Sequence, residues 1–403
     1  MEIRRELAGA GLPSMALVRE LTDQIVLDTV FEQAPVTRAE IAQRTGISKT
    51  TVSESVRRLE EMRLLRPAGE QRGRQGRVGT YYQVAADAGF VLAVSLHPTE
   101  IRLCAADLFG HPFLQSTHQP MRPRNPEHTA RQLRTLVAGA VDQGGVDHGR
   151  PLAVAVSVAN PVDPRTSAVI PLRDTPYPGG VFQPQEALAG LTDAPLLVEN
   201  DVNLAAVAER WHGAGRAADS FAYVYIGAGL GMGLVIGDRL VPGSRGVAGE
   251  IGYLSVSSQP PGTPHGLARA VAQAGFGTGQ LPEPDGPDPV AAAREVLRRA
   301  EEGDAEALAV VAEEGRTIGE AIATVCAVVD PELVLLGGPV GSHPALLEPV
   351  REAVRTLAPL PPPVEPGALG EAAPLRGALA VALRRARTDL RSRADLRTRA
   401  GTG

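Results

Sequence analysis

The sequence predicts a winged helix-turn-helix over residues 1–85 joined to an α/β body over residues 86–388, with an arginine-rich tail over 389–403. Three observations lead there. A tight turn, Thr45-Gly46-Ile47-Ser48, separates two short helical patterns. An arginine–glycine stretch, Arg72-Gly73-Arg74-Gln75-Gly76-Arg77, lies between two strand-like runs. After Gln83, strand and helix signals alternate to the end of the body.

Residues 1–18 read as a frayed helix. The first firm helix is predicted over 21–33, where Leu21, Ile25, Val26, Val30 and Phe31 recur near helical spacing and Pro35 follows as a stop. A second runs from Arg38 to Thr45, with Ile41 and Ala42 inward. Gly46 can take a positive φ, and Ser48 can cap the next helix. That third helix spans about Lys49 to Met62. Its Val52, Val56 and Leu59 face inward; Lys49, Thr50, Thr51, Ser53, Glu54 and Arg57 face out. Such a helix pair places the second helix in the DNA major groove. Ser48, Lys49, Thr50, Thr51, Ser53 and Arg57 carry the donors and acceptors that base edges and phosphates require.

A plain three-helix bundle is the bland alternative, and the following stretch opposes it. Leu64-Leu65-Arg66-Pro67 and the run GEQRGRQGRVGTYYQV form two short strands with a basic tip, a β-wing. Arg72, Arg74 and Arg77, interleaved with small residues, suit a narrow minor groove. A basic loop that touches phosphates alone is the competing reading.

Composition narrows the class further. The chain of 403 residues is 43% hydrophobic but 3% aromatic, so its cores must be built from Ala, Val and Leu. The formal net charge of -6 opposes nucleic-acid binding if spread evenly. Read by segment, Arg57, Arg58, Arg63, Arg66, Arg72, Arg74 and Arg77 crowd one short stretch. Lys49 is the only lysine, so part of the arginine bias is compositional. No apolar run reaches membrane-spanning length and no signal-peptide pattern opens the chain, which predicts a soluble cytoplasmic protein. Cys104 and Cys326 stand far apart and read as buried, reduced thiols; no disulfide framework or cysteine zinc site can be made from them.

In the body, strands are predicted at Phe90–Leu96, Ile101–Leu108, Leu152–Ala159, Leu196–Val198, Phe221–Ile226, Gly233–Ile236 and Leu333–Leu336. Helices are predicted at 127–143, about 201–212, 290–302, 305–329 and about 371–388. The long span and a central glycine cluster predict two lobes with a cleft. Pro282–Pro289 reads as a linker and Leu360–Pro366 as an extended connector. The tail holds a small repeat, Asp389–Ala394 and Asp395–Ala400, read as a solvated, partly helical end.

Five motifs in order carry a family resemblance. They are the helix-turn-helix with its arginine wing, Glu199-Asn200-Asp201-Val202-Asn203-Leu204-Ala205-Ala206, Ile226-Gly227-Ala228-Gly229-Leu230-Gly231-Met232-Gly233-Leu234, Gly249-Glu250-Ile251-Gly252-Tyr253 and Leu335-Leu336-Gly337-Gly338. On them the chain resembles the ROK family of repressors, open reading frames and kinases over nearly its whole length. The resemblance implies a two-lobed, actin-like, hexokinase-type fold, with lobe one about 86–199 plus the C-terminal helix and lobe two about 200–364. It implies a sugar-binding segment at Asn200 and Asp201.

The departures matter as much. Kinase members carry Asp-x-Gly-Gly-Thr where this chain has Ser95-Leu96-His97-Pro98-Thr99. A side chain and a proline ring there block the approach of a phosphate to the backbone, and proline removes a donor. Ala228 stands where kinases place Thr. Phosphoryl transfer depends on positioning and charge stabilisation, so kinase activity is not expected although the candidate base Asp201 remains. The family's zinc ligands are a His and three cysteines; Tyr253 replaces the His, and Ser257–Ala268 has no cysteine. No metal, cofactor or catalytic residue is therefore assigned.

Asn200, Asp201 and Glu250 are left to bind a hydroxyl-rich ligand. Asp201 is also expected to cap the helix 202–212, and Glu250 could simply be solvated. The resulting expectation is a homodimeric or homotetrameric repressor of carbohydrate-use genes, without a membrane partner. It binds a pseudo-palindromic duplex operator and answers to a sugar or phosphosugar. Two alternatives stay open: a repressor without an effector, whose body only oligomerises or binds a partner protein, and an ATP-dependent sugar kinase.

Overall fold

The computed structural model describes residues 15–72, 78–97, 100–119, 125–172, 182–255, 271 and 289–400. The chain opens with α1 (Met15–Gln33), β1 (Val36–Thr37), α2 (Arg38–Thr45) and α3 (Lys49–Glu61). The hairpin β2 (Leu65–Arg72) and β3 (Val78–Val84) follows, and β1 adds to β3 to give a three-stranded sheet. This is a winged helix. Its inner residues include Val26, Leu27, Val30, Ile41, Val52, Val56, Leu59 and Tyr82. The inward face of α1 differs from the expected one. Leu21 and Ile25 are 48% and 44% exposed, because the helix turns Val26, Leu27 and Val30 inward together with Thr22 and Asp23.

The body holds two five-stranded sheets of matching topology. The first has the order β6-β5-β4-β7-β8, from β4 (Phe90–Leu96), β5 (Ile101–Asp107), β6 (Pro112–His118), β7 (Pro151–Val158) and β8 (Leu196–Asn200). The second has the order β11-β10-β9-β12-β13, from β9 (Phe221–Ile226), β10 (Leu230–Ile236), β11 (Arg239–Leu240), β12 (Leu333–Gly337) and β13 (Val364–Pro366). In each, an antiparallel meander is extended by parallel strands. The central strand β4 is apolar almost throughout because it lies between β5 and β7 with both faces covered. Helix α4 (Pro126–Asp147) covers the first sheet. Helices α7 (Pro289–Glu301), α8 (Ala305–Val329) and α10 (Pro344–Leu357) build the core over the second; α5 (Pro184–Ala187) and α9 (Gly338–Gly341) are short.

Two helices cross between the lobes. Helix α6 (Asp201–His212) leaves the first sheet and packs on β10 of the second. Helix α11 (Ala373–Ala400) leaves the second sheet and packs on β4 and β7 of the first, on α6, and on α1. Gly233 allows the first crossing: a Cβ there would stand 2.8 Å from both the Ala206 Cβ and the Val202 carbonyl oxygen.

Three boundaries differ from expectation. The glycine-rich run 226–234 is a loop only at Gly227–Gly229; Gly231 and Gly233 lie within β10. The proline-rich connector contains the edge strand β13. The last helix continues through Ala400, and Leu390 within it is buried. The predicted linker Pro282–Pro289 falls almost wholly outside the described residues. Among the described residues, no helix is long and apolar enough to cross a membrane.

Candidate operator interface and cleft

The turn before α3 is built by local chemistry. Thr37 caps α2 in a reciprocal capping box with Glu40. Gly46 closes that helix with φ 71° and donates its N–H to the Ala42 carbonyl. Ser48 caps α3, accepting from the Thr51 N–H at 3.2 Å, and the two hydroxyls lie 2.8 Å apart. Ser48 and Thr51 therefore form the helix start. Lys49, Thr50 and Arg57 are exposed and Ser53 is half-buried; Arg57 pairs with Glu61 on the exposed face. Arg72 is the last residue of β2, opposite Val78. Arg74 and Arg77 lie outside the described residues.

The sequence reading missed what holds α3 in place. Asp23 on α1 is 1% exposed. Its carboxylate accepts from the Ser55 hydroxyl and from Arg58, Nε at 3.0 Å and Nη2 at 2.6 Å. Ser55 and Arg58 sit on the inner side of α3, so one buried carboxylate fixes the angle between the two helices.

In the cleft, Asn200 and not Asp201 caps α6. The Asn200 Oδ1 accepts from the Val202 and Asn203 N–H groups at 2.9 and 3.1 Å. Its Nδ2 donates to the Asn160 carbonyl and to Asp201. Both ends of the amide are engaged, so Asn200 positions its neighbours. Asn160, buried beyond the end of β7, was not singled out in the sequence. Asp201 is the first helical residue and accepts from the Val202 N–H. Burial, reinforced by the Glu250 charge, pushes its carboxyl up to about 7. Burial also raises Glu250. Gly249, at φ 89°, brings the Glu250 loop onto β10: a Cβ there would meet the Met232 carbonyl oxygen at 1.8 Å. Gly246 lies as close to the Val162 backbone, which joins this loop to the first lobe.

A cavity of about 230 Å³ opens beside Asp201, walled by Ser95, His97, Arg102, Tyr223 and Tyr225 among others. Kinase members place nucleotide phosphates on this side. Here His97 and Glu100 exchange backbone hydrogen bonds across the β4–β5 turn, so neither N–H faces a ligand. Pro98 lies outside the described residues. The Gly338 N–H is taken by the Tyr223 hydroxyl at 3.0 Å. Arg102 pairs with Glu100 and Glu371, and Glu371 also pairs with Arg294 of α7. This ion cluster joins the lobes across the cavity mouth. The His97, Glu100 and Gly338 N–H groups are thus all engaged within the fold.

The family's zinc does not fit the described residues. Tyr253 is a 38% exposed phenol, and among the described residues no group of three His, Cys, Asp or Glu side chains comes together. Cys104 and Cys326 are buried free thiols on β5 and α8, and burial pushes Cys326 up to about 11. The stretch Ser257–Ala268 lies outside the described residues.

Fold and site together define a class: a winged helix-turn-helix carried on a two-lobed, hexokinase-type body. The chain belongs to the ROK family, whose model matches residues 91–385. A MarR family model matches residues 25–75, over the winged helix. The chain is 23% identical over 246 residues to a putative xylose repressor of Caldicellulosiruptor sp. (strain Rt8B.4), covering 60% of each chain. It is 34% identical over 179 residues to an N-acetylmannosamine kinase of Yersinia pestis (strain Pestoides F), covering 44% of this chain and 60% of the kinase. The fold matches the crystal structure of a ROK family transcriptional regulator, a homologue of the E. coli MLC protein. That match has a TM-score of 0.71 at 18% identity, covering 93% of this chain and 98% of the other.

Proposed function

We propose that this chain is a cytoplasmic DNA-binding repressor of carbohydrate-use genes whose cleft takes a sugar or phosphosugar. The observation that carries it is the pairing of a polar, exposed α3 face with a cleft that keeps Asp201 and Glu250 while its phosphate turn is closed on itself. The likeness to xylose repressors supports the same reading, and their name suggests pentoses as first ligands to try. Lys49, Thr50 and Ser53 read base edges, with Ser48 and Thr51 presenting them; Arg57, Arg72, Arg74 and Arg77 meet phosphates and the minor groove. A symmetric dimer or tetramer sets two α3 helices on a pseudo-palindrome, roughly 34–36 Å apart. The sugar acts by favouring one lobe arrangement over the other.

A coupled assay with ATP and glucose, xylose, N-acetylglucosamine or N-acetylmannosamine is expected to stay at background. Turnover abolished by Asp201→Asn overturns the non-enzymatic reading.

Duplexes selected by the protein from a random pool provide the DNA test. Changing Arg72, Arg74 and Arg77 together to Ala is expected to flatten the salt dependence, by up to about 0.9 in log–log slope for each phosphate no longer neutralised. Parallel lines with equal affinity mean that the wing does not touch DNA.

A second reading, a repressor without an effector, is favoured by one observation: the Asn200 amide is engaged within the fold at both ends. Calorimetry against pentoses, hexoses and their phosphates separates the two. A heat of binding that disappears in Asp201→Ala supports the first, and silence across the panel supports the second.

A further inference from the structure

We propose that Arg387 is the positioning residue that fixes the winged helix to the cleft-bearing body; its effect on DNA binding rests on the repressor reading above. The winged helix and the first lobe share one apolar cluster, in which Val26, Leu27 and Val30 of α1 join Leu108, Ala382, Ala386 and Leu390. Apolar burial of this kind is strong but not directional, so a hydrogen-bonded contact adds a preferred orientation to it. Arg387 supplies the direction. Its Nε and Nη2 both donate to the Leu108 carbonyl, at 3.1 and 2.8 Å. Its guanidinium lies 4.9 Å from the centre of the Phe31 ring, on the last turns of α1. Phe31 in turn meets Phe109 edge-on, with ring centres 5.9 Å apart. One side chain thus fastens α11, the β5–β6 turn and α1.

The first half of α11 is held just as tightly against α6. Gly377 faces the Leu204 carbonyl of α6 so closely that a Cβ would stand 1.9 Å from the oxygen. Arg384 lies 5.6 Å over the Trp211 ring, near the end of α6. Helix α6 begins at Asp201. Two packed helices therefore join the cleft carboxylate to Phe31, and Arg387 is the directional contact between α11 and α1. A physical chain of this kind becomes a coupling only when both ends bias its state.

The consequence is specific to paired sites. Two α3 helices engage both half-sites only if each winged helix is held at a set angle to its body. Loosening the junction lowers the effective concentration of the second reader while leaving the phosphate-binding groups of each one in place. Lysine cannot replace the arginine, because it has no planar fork to bond Leu108 twice while lying on Phe31.

The test uses the full chain with a duplex selected from a random pool and an unrelated duplex of equal length. Spin labels at Gln43→Cys and Glu127→Cys report the distance between winged helix and first lobe. Wild type is expected to give one narrow distribution, which broadens in Arg387→Ala and in Arg387→Lys. Affinity of Arg387→Ala for the selected duplex is expected to fall about tenfold, as the effective concentration of the second reader drops. Affinity for the unrelated duplex should stay within about twofold of wild type. Phe31→Leu should behave alike, and the double variant should be no worse than either single one. An unchanged distance distribution overturns the proposal, as does equal weakening on both duplexes. If wild type selects no duplex at all, the repressor reading fails, while the distance distributions still decide the junction.

Discussion

Asp23→Ala is expected to unfold the winged helix and abolish selective DNA binding while leaving the two-lobed body folded. The carboxylate is buried, and it accepts from both the Ser55 hydroxyl and the Arg58 guanidinium. Removing it strands a cation whose side chain is 20% exposed and a hydroxyl that is fully buried. Breaking a buried ion pair from one side costs about 3–5 kcal/mol. Small domains have about 5–15 kcal/mol in total, so the loss is a large share of the stability of this unit and matches it at the low end of that range. Hydrogen exchange gives the measurement. Amides of Lys49–Glu61 should lose protection in the variant, and those of β4 should keep it. The double variant Asp23→Ala with Arg58→Met should be less damaged than Asp23→Ala alone, because no unpaired charge is left inside. Full protection of α3 in Asp23→Ala, with selected-duplex affinity within about twofold of wild type, means that the triad holds nothing in place.

The Asp23 triad marks the boundary of what one sequence makes legible. Helix α3 was readable from Val52, Val56 and Leu59 alone, because an amphipathic helix writes its burial at a fixed period. Asp23 was not, since its partners lie 32 and 35 residues away and nothing local distinguishes it from a solvated acid. The buried strands β4 and β7 were legible as nearly unbroken apolar runs. The edge strand β6 was missed: it starts at Pro112 and is half exposed. Helix α10 was not predicted, and it carries two prolines, Pro344 and Pro349. Pro344 stands in the first turn, where no N–H bond is needed, and Pro349 packs against Gly315 of α8.

The candidate site shows the same division. Motif resemblance located Asn200, Asp201 and Glu250, and in the fold the Glu250 charge acts on Asp201. The division of labour between Asn200 and Asp201 turned on a one-residue helix boundary, which spacing does not resolve. Asn160, Arg102 and Glu371 come together with their partners through tertiary crossings between the end of β7, β5 and the turn before α11. No pattern along the chain announces those. The matching order of the two sheets was equally hidden, because it repeats in topology and not in residues.

Asp201 should make both stability and ligand affinity depend on pH, in opposite directions. Its carboxyl is raised from an ordinary 3.8 to about 7 by burial and by Glu250. Between those values the folded chain holds a proton that the unfolded chain has released. Stability therefore falls as pH rises through this window and levels off above about 7. Each pKa unit corresponds to about 1.4 kcal/mol. The residue is partly open to the cleft, so water screens part of the effect and an expected size is on the order of 1–3 kcal/mol. Asp201→Asn keeps an acceptor for the Val202 N–H and removes the charge. Its melting temperature should gain on wild type progressively from about pH 4.5 to about pH 7.5, and Glu250→Gln should shrink that gain. A hydroxyl-rich ligand donating to the ionised carboxylate pulls the proton off, so its binding strengthens with pH. Calorimetry with xylose should show about a tenfold rise in affinity between about pH 6 and about pH 8, accompanied by proton release to the buffer. A constant stability difference across the range removes Asp201 as the titrating group. A constant affinity with no proton release means that the ligand, if bound, does not rest on this carboxylate.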